Sequence, residues 1–357
     1  MIFYVLLILA IFSLFHFKIH KTSTFSLLFT SIFCASFIIL LVIYSKDAIS
    51  SSKLGINLWF NVIFPSLFPF FVICNILGNT KASLIIGKFF EPIMRPLFNV
   101  PGSCAFALFM GILSGYPIGA ICTLQLYQQD IISKTEAQRL LTFTNNSGPI
   151  FVISAIGCGF FGSKHLGILL YISHILSAIG VGIIFSFYKR KSSCPFKKQY
   201  LVNSNCNTNI SSSSIINVFT NAITSSINTI INIAGFIIFF SVVIRLLHKV
   251  GVFSFLAFVC SPIIHSLNLE PALVSSFFSG LLELTSGTSF ICKLSCTTCF
   301  TKLICTAFLL GFAGISIHFQ VYSVISKSNL SILPFVIGKF LQGILNSLFF
   351  AILFWLF

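Results

Sequence analysis

An all-α polytopic membrane protein, an inverted repeat with re-entrant hairpins and broken helices, is the fold class that three observations predict. Only 8% of the 357 residues are charged while 57% are hydrophobic, too few charges to cover a soluble domain of this size. Apolar runs of about 20 residues, the length that crosses a bilayer, recur along the chain. Gly, Pro, Ser and Asn clusters interrupt two of those regions, and the order of segments before a polar linker repeats after it.

Residues 2–19 and 25–44 are long enough to cross, and no basic n-region or small-residue cleavage site marks the first as a cleaved signal. The polar stretch 45–53 separates them from a third apolar run, Leu54–Gly78. Lys81, Lys88, Glu91 and Arg95 among apolar neighbours make 79–100 an interfacial amphipathic helix. Pro101–Gln128 follows as two arms of about a dozen residues, each too short to span, meeting at Ser114–Gly119. Ser133 and Glu136 have capping-box spacing, so a helix starts there. It runs to about Phe161, unwound at Thr144-Asn-Asn-Ser-Gly-Pro149, and 165–188 is a further span. Lys189–Ser214 is a basic, Asn/Ser-rich cytoplasmic linker. The second half comprises Ile215–Leu247, a mixed segment Lys249–Asn268, arms Glu270–Phe300 meeting at Glu283–Thr288, Leu303–Gln320 weakened at Gly311–Gly314, and Leu330–Phe357.

The halves superpose in sequence. Glu91-Pro-Ile-Met-Arg-Pro-Leu97 matches Ser261-Pro-Ile-Ile-His-Ser-Leu267, Gly111 falls on Gly280, and Ser147 on Ser316. The division is therefore two N-terminal helices (1–50), a first repeat (51–188), the linker (189–214) and a second, inverted repeat (215–357). Three crossings per repeat require the inversion. Lys18, Lys21, Lys81, Lys88, Arg95, Lys134 and Arg139 then join the linker charges in the cytoplasm, but Arg245, Lys249, Lys293 and Lys302 fall outside, against the charge rule.

Broken helices between inverted repeats build transporter sites at mid-depth. The candidate walls are Ser114, Gly115, Tyr116 and Gly119; Thr144, Asn145, Asn146 and Ser147; Thr285, Ser286, Gly287 and Thr288 beside Glu283; and Ser316 with His318 and Gln320. Amides and hydroxyls at half-helix ends suit carboxylate oxygens, and Tyr116 offers a ring for stacking. Small residues also pack helices closely, so each alone is weak; two aligned breaks favour binding. Glu283 is the one acid well inside an apolar run. It is either a coupling proton carrier, with His318 as relay, or a structural hydrogen-bonding group held by Ser279 or Thr288.

The net charge of +15 would suggest nucleic acid in a soluble protein; in this setting Lys and Arg anchor helix ends. Twelve scattered Cys argue against a disulfide framework. Cys292, Cys296 and Cys299 have iron–sulfur spacing, but chance accounts better for three among twelve. No cofactor, metal or enzyme constellation is expected. The expected partners are a small anionic substrate and the bilayer; homo-oligomerisation stays open.

FPSLFPFF, EPIMRPLFNVPG, GILSGYPIGA and RLLTFTNNSGPIF together resemble the sporulation integral membrane proteins of the YlbJ type, over roughly residues 50–350. The resemblance implies nucleoside-recognition (Gate) repeats, a role in endospore formation in the mother-cell-derived membrane around the forespore, and movement of dipicolinic acid. A structural role in the spore membrane and a nucleoside-type carrier are the alternatives.

Overall fold

The computed structural model describes residues 24–78, 82–190, 212–266 and 269–356. The expected first span and most of the linker lie outside these. Among the described residues every regular element is a helix, and five stretches are long and apolar enough to cross a membrane.

Helix α1 (Thr24–Ile43) precedes α2 (Ser45–Leu58), which runs through a π-helical turn at Trp59–Ile63 into α3 (Phe64–Gly78). The polar stretch 45–53 is therefore not a separate joint but the first turns of a rod, Ser45–Leu77. Its small residues explain this: Ser51 and Gly55 are buried, and a β-carbon on Gly55 would stand 3.1 Å from Ile238 Cα, so the face packs closely on a partner helix. Helix α4 (Ala82–Phe98) is the expected amphipathic helix. Then α5 (Cys104–Ser114) and α6 (Ile118–Gln128) form the first hairpin.

Helix α7 (Lys134–Thr144) opens on a formed capping box: Ser133 N–H donates to Glu136 Oε2 at 2.8 Å while Glu136 N–H donates to Ser133 Oγ at 3.3 Å. The chain unwinds over Asn145–Gly148 and resumes as a π-helical segment, Ile150–Phe160, before α8 (Lys164–Phe185).

After the linker come α9 (Ser212–Val250), α10 (Val252–Val259) and α11 (Ser261–Ser266). The second hairpin is α12 (Pro271–Leu282) and α13 (Leu284–Cys292). Helices α14 (Cys299–Phe312) and α15 (Gly314–Ile325) are split at Ala313–Gly314, both at φ 75°, and α16 (Leu333–Leu356) ends the fold.

Contacts fix the relative direction of the corresponding helices. Asp47 pairs with Arg245 and Lys249 at 2.6 and 3.1 Å, Trp59 Nε1 donates to Ile230 O at 3.0 Å, and Asn75 Nδ2 donates to Ser226 Oγ at 3.0 Å. The partner numbers fall as the first helix advances, so α2–α3 and α9 are antiparallel, as inversion requires. Arg245 and Lys249, the cations that defy the charge rule, are thus partly neutralised by Asp47. Arg139 ties the α4 and α8 termini, donating to Asn99 O at 2.9 Å and Tyr188 O at 2.8 Å.

Candidate substrate site between two hairpin tips and two broken helices

The two hairpins close in the same way. Gly111 on α5 faces Gly119 on α6: a β-carbon on Gly111 would sit 3.2 Å from Gly119 Cα, and one on either would overlap the Thr144 carbonyl. In the second hairpin Gly287 packs directly on the backbone of Gly280. Side chains are excluded where the arms cross, so the tips are held by backbone contact rather than by interdigitated bulk.

The first tip turns at Gly115, whose φ of 87° with ψ of −171° is open to glycine. A β-carbon there would lie 3.0 Å from Gly148 N, so the tip rests on the unwound segment. Tyr116 is buried and its hydroxyl donates to Leu310 O at 3.2 Å, next to the second break.

The second tip is shorter than Glu283–Thr288. Only Glu283 leaves the helical path, and Leu284–Thr288 already belong to α13. The cause is the carboxylate: Glu283 accepts from Thr285 N at 2.9 Å and Ser286 N at 2.7 Å, capping α13 at its own N-terminus. Those amides are therefore engaged by the protein. The side-chain partners expected of Glu283 are engaged elsewhere: Ser279 Oγ donates to Ser275 O and meets His248 Nε2 at 3.1 Å, and Thr288 Oγ1 donates to Leu284 O.

A cavity of about 80 Å³ lies where these parts meet. Gly115 and Tyr116 supply one wall, Ser147 and Gly148 a second, Glu283 and Thr285 a third, Ser316 and Gln320 a fourth; Ser66 and Ile237 help to close the sides. The four segments singled out in the sequence thus converge. The remaining candidates stand behind the walls. Ser114 Oγ contacts Cys74 Sγ at 2.9 Å, Thr144 Oγ1 donates to Leu140 O, and Asn146 bonds Phe143 O and Gln342. Gly119 and Gly287 make the hairpin crossings, and neither Ser286 nor Thr288 lines the cavity. His318 bonds Gly314 O at 2.7 Å between the rings of Phe312 and Phe335. No hydrogen bond joins it to Glu283 among the described residues.

One charged residue escaped sequence reasoning. Lys339 on α16 is fully buried, its Nζ donating to the carbonyl of Asn145 and, at 2.7 Å, to Gln342 Oε1, 5.4 Å from the Tyr116 ring centroid. Removing an unpaired ion from water costs several kcal/mol. Lys339, Gln342 and Asn346, spaced i, i+3, i+7, form a buried polar stripe in an otherwise apolar span; that spacing was the available signal. No three His, Cys, Asp or Glu gather as a metal site among the described residues. Cys296 and Cys299 are exposed, while Cys292 donates to Phe160 O.

A family profile described as nucleoside recognition, Gate, matches residues 60–229, from the π-helical turn through the first hairpin and first break into α9. The sporulation integral membrane protein YlbJ of Bacillus subtilis (strain 168) is 34% identical over 320 residues, 87% of this chain and 78% of the relative. The chain belongs to the YlbJ family of sporulation integral membrane proteins. No solved structure matches this YlbJ-family member. The aligned length extends well beyond the Gate match, so the likeness to the YlbJ relative includes much of the second set of helices and is not confined to the first.

Proposed function

We propose that this YlbJ-family protein is a carrier for a small anionic metabolite, dipicolinic acid, delivered toward the forespore from the mother-cell-derived outer forespore membrane. The observation that carries the reading is the convergence of both tips and both breaks on one cavity, the arrangement by which inverted-repeat carriers hold substrate between their halves. At about 80 Å³ the cavity is well below the roughly 300 Å³ and more of ordinary ligand pockets. A pyridine dicarboxylate therefore requires the tips to separate, and the structure is read as a closed state. The re-entrant first tip, carrying Tyr116, contacts substrate; Glu283 at the second serves coupling.

The Gate description favours a second reading, a nucleoside carrier. Thermal unfolding of the purified protein separates the two. Dipicolinate is expected to raise the midpoint saturably, with nucleosides silent. The opposite pattern favours the nucleoside carrier, and no shift with either removes the carrier reading.

A further inference from the structure

All six acidic residues of the chain are accounted for elsewhere. Asp47 pairs with Arg245 and Lys249, and Glu91 with Arg95. Glu136 completes a capping box, Glu270 accepts from Thr297, Glu283 caps α13, and Asp130 is exposed in the turn after α6. Among the described residues no carboxylate lies within ion-pair distance of Lys339 Nζ. Lys339 Nζ has two acceptors, Asn145 O and Gln342 Oε1, so that its ammonium form keeps one N–H without a partner.

A second observation falls on the residue it holds. Asn145 is fully buried, and neither its Oδ1 nor its Nδ2 has a hydrogen-bond partner. Beside it, His174 Nε2 accepts from Ser147 N at 3.1 Å. The proton of the neutral ring is then on Nδ1, which is also buried without a partner. Buried polar groups without partners, the Asn145 amide and His174 Nδ1 among them, thus gather around Lys339 with no carboxylate beside them. Such groups are rarely left unpaired in a protein interior. The cluster adjoins the cavity: the Tyr116 ring lines it and also faces Lys339, and Ser147 and Gly148 line it just beyond Asn145.

We propose that Lys339 and Asn145 form a carboxylate-binding subsite, with Lys339 as the fixed counter-charge and the Asn145 amide as a directional donor. This rests on the carrier reading and narrows it to substrates bearing a carboxylate, admitted behind Tyr116 when the tip moves.

The test is thermal stabilisation of the full-length purified protein by dipicolinate and by the neutral pyridine-2,6-dicarboxamide. Wild type should respond to the acid and not to the diamide, and Lys339→Gln should raise the apparent Kd for the acid tenfold or more. If wild type responds to neither compound, the carrier reading fails. If Lys339→Gln responds to the acid like wild type, or wild type responds equally to the diamide, the subsite is wrong and the carrier reading stands. Should Lys339→Gln not fold, Asn145→Asp decides. A carboxylate on the residue whose main-chain carbonyl holds Nζ should raise the ligand-free midpoint and abolish the dipicolinate shift; a lowered midpoint overturns the assignment of an unmet charge to Lys339.

Discussion

Gly111→Ala is the sharpest perturbation of the hairpin scaffold. In an exposed helix Gly→Ala stabilises by about 1 kcal/mol, because alanine loses less backbone entropy. At Gly111 the new methyl would overlap the Thr144 carbonyl oxygen, stand 2.8 Å from its carbon, and meet Gly119 Cα at 3.2 Å. These are backbone atoms of two neighbouring segments, so no side chain can rotate away. Overpacking of this kind costs about 3 kcal/mol at the upper end of its usual range, which leaves a net loss of about 2 kcal/mol or more. Gly235, exposed on α9 with no heavy atom within 4 Å of an added β-carbon, is the internal control. Denaturation of both variants in one detergent, with unfolding followed by the accessibility of a buried cysteine, should give a lowered midpoint for Gly111→Ala and an unchanged or raised one for Gly235→Ala. Equal midpoints would refute the close backbone crossing at Thr144.

Glu283→Gln keeps one acceptor but removes the charge facing the α13 N-terminus, so stability should fall by about 1 kcal/mol, with membrane insertion intact and transport impaired. Full transport by that variant in a liposome assay would remove Glu283 from the mechanism. The inverted topology expects Lys249 and Lys189 at opposite membrane faces. With exposed native cysteines replaced, an impermeant maleimide should label Lys249→Cys and Lys189→Cys from different sides, and labelling of both from one side would break the inverted topology.

Much of this fold was legible because a membrane makes exceptions conspicuous. SGYPIG and TNNSGP stand out in apolar surroundings, and Ser133 with Glu136 announces a cap by spacing alone. The second tip reads longer in the sequence than it is in the fold because Ser and Gly after Glu283 look like a loop. They form a helix there because the glutamate turns back to cap it, a role more often filled by Ser, Thr, Asp or Asn. The segment 45–53 resembles a connector by polarity alone; its helical phase puts Ser51 and Gly55 against α9. Lys339 is inconspicuous for the converse reason. Flanked by Gly338 and Phe340, it reads as a terminal anchor until Gln342 and Asn346 are seen on the same helical face. The cavity itself depends on side-chain placement across six segments, which no local pattern encodes.

Uptake of labelled dipicolinate into liposomes holding the purified protein tests the proposed carrier most directly. Saturable, protein-dependent accumulation, suppressed by unlabelled dipicolinate and not by nucleosides, is the predicted result. Flux no greater than in protein-free liposomes would contradict it.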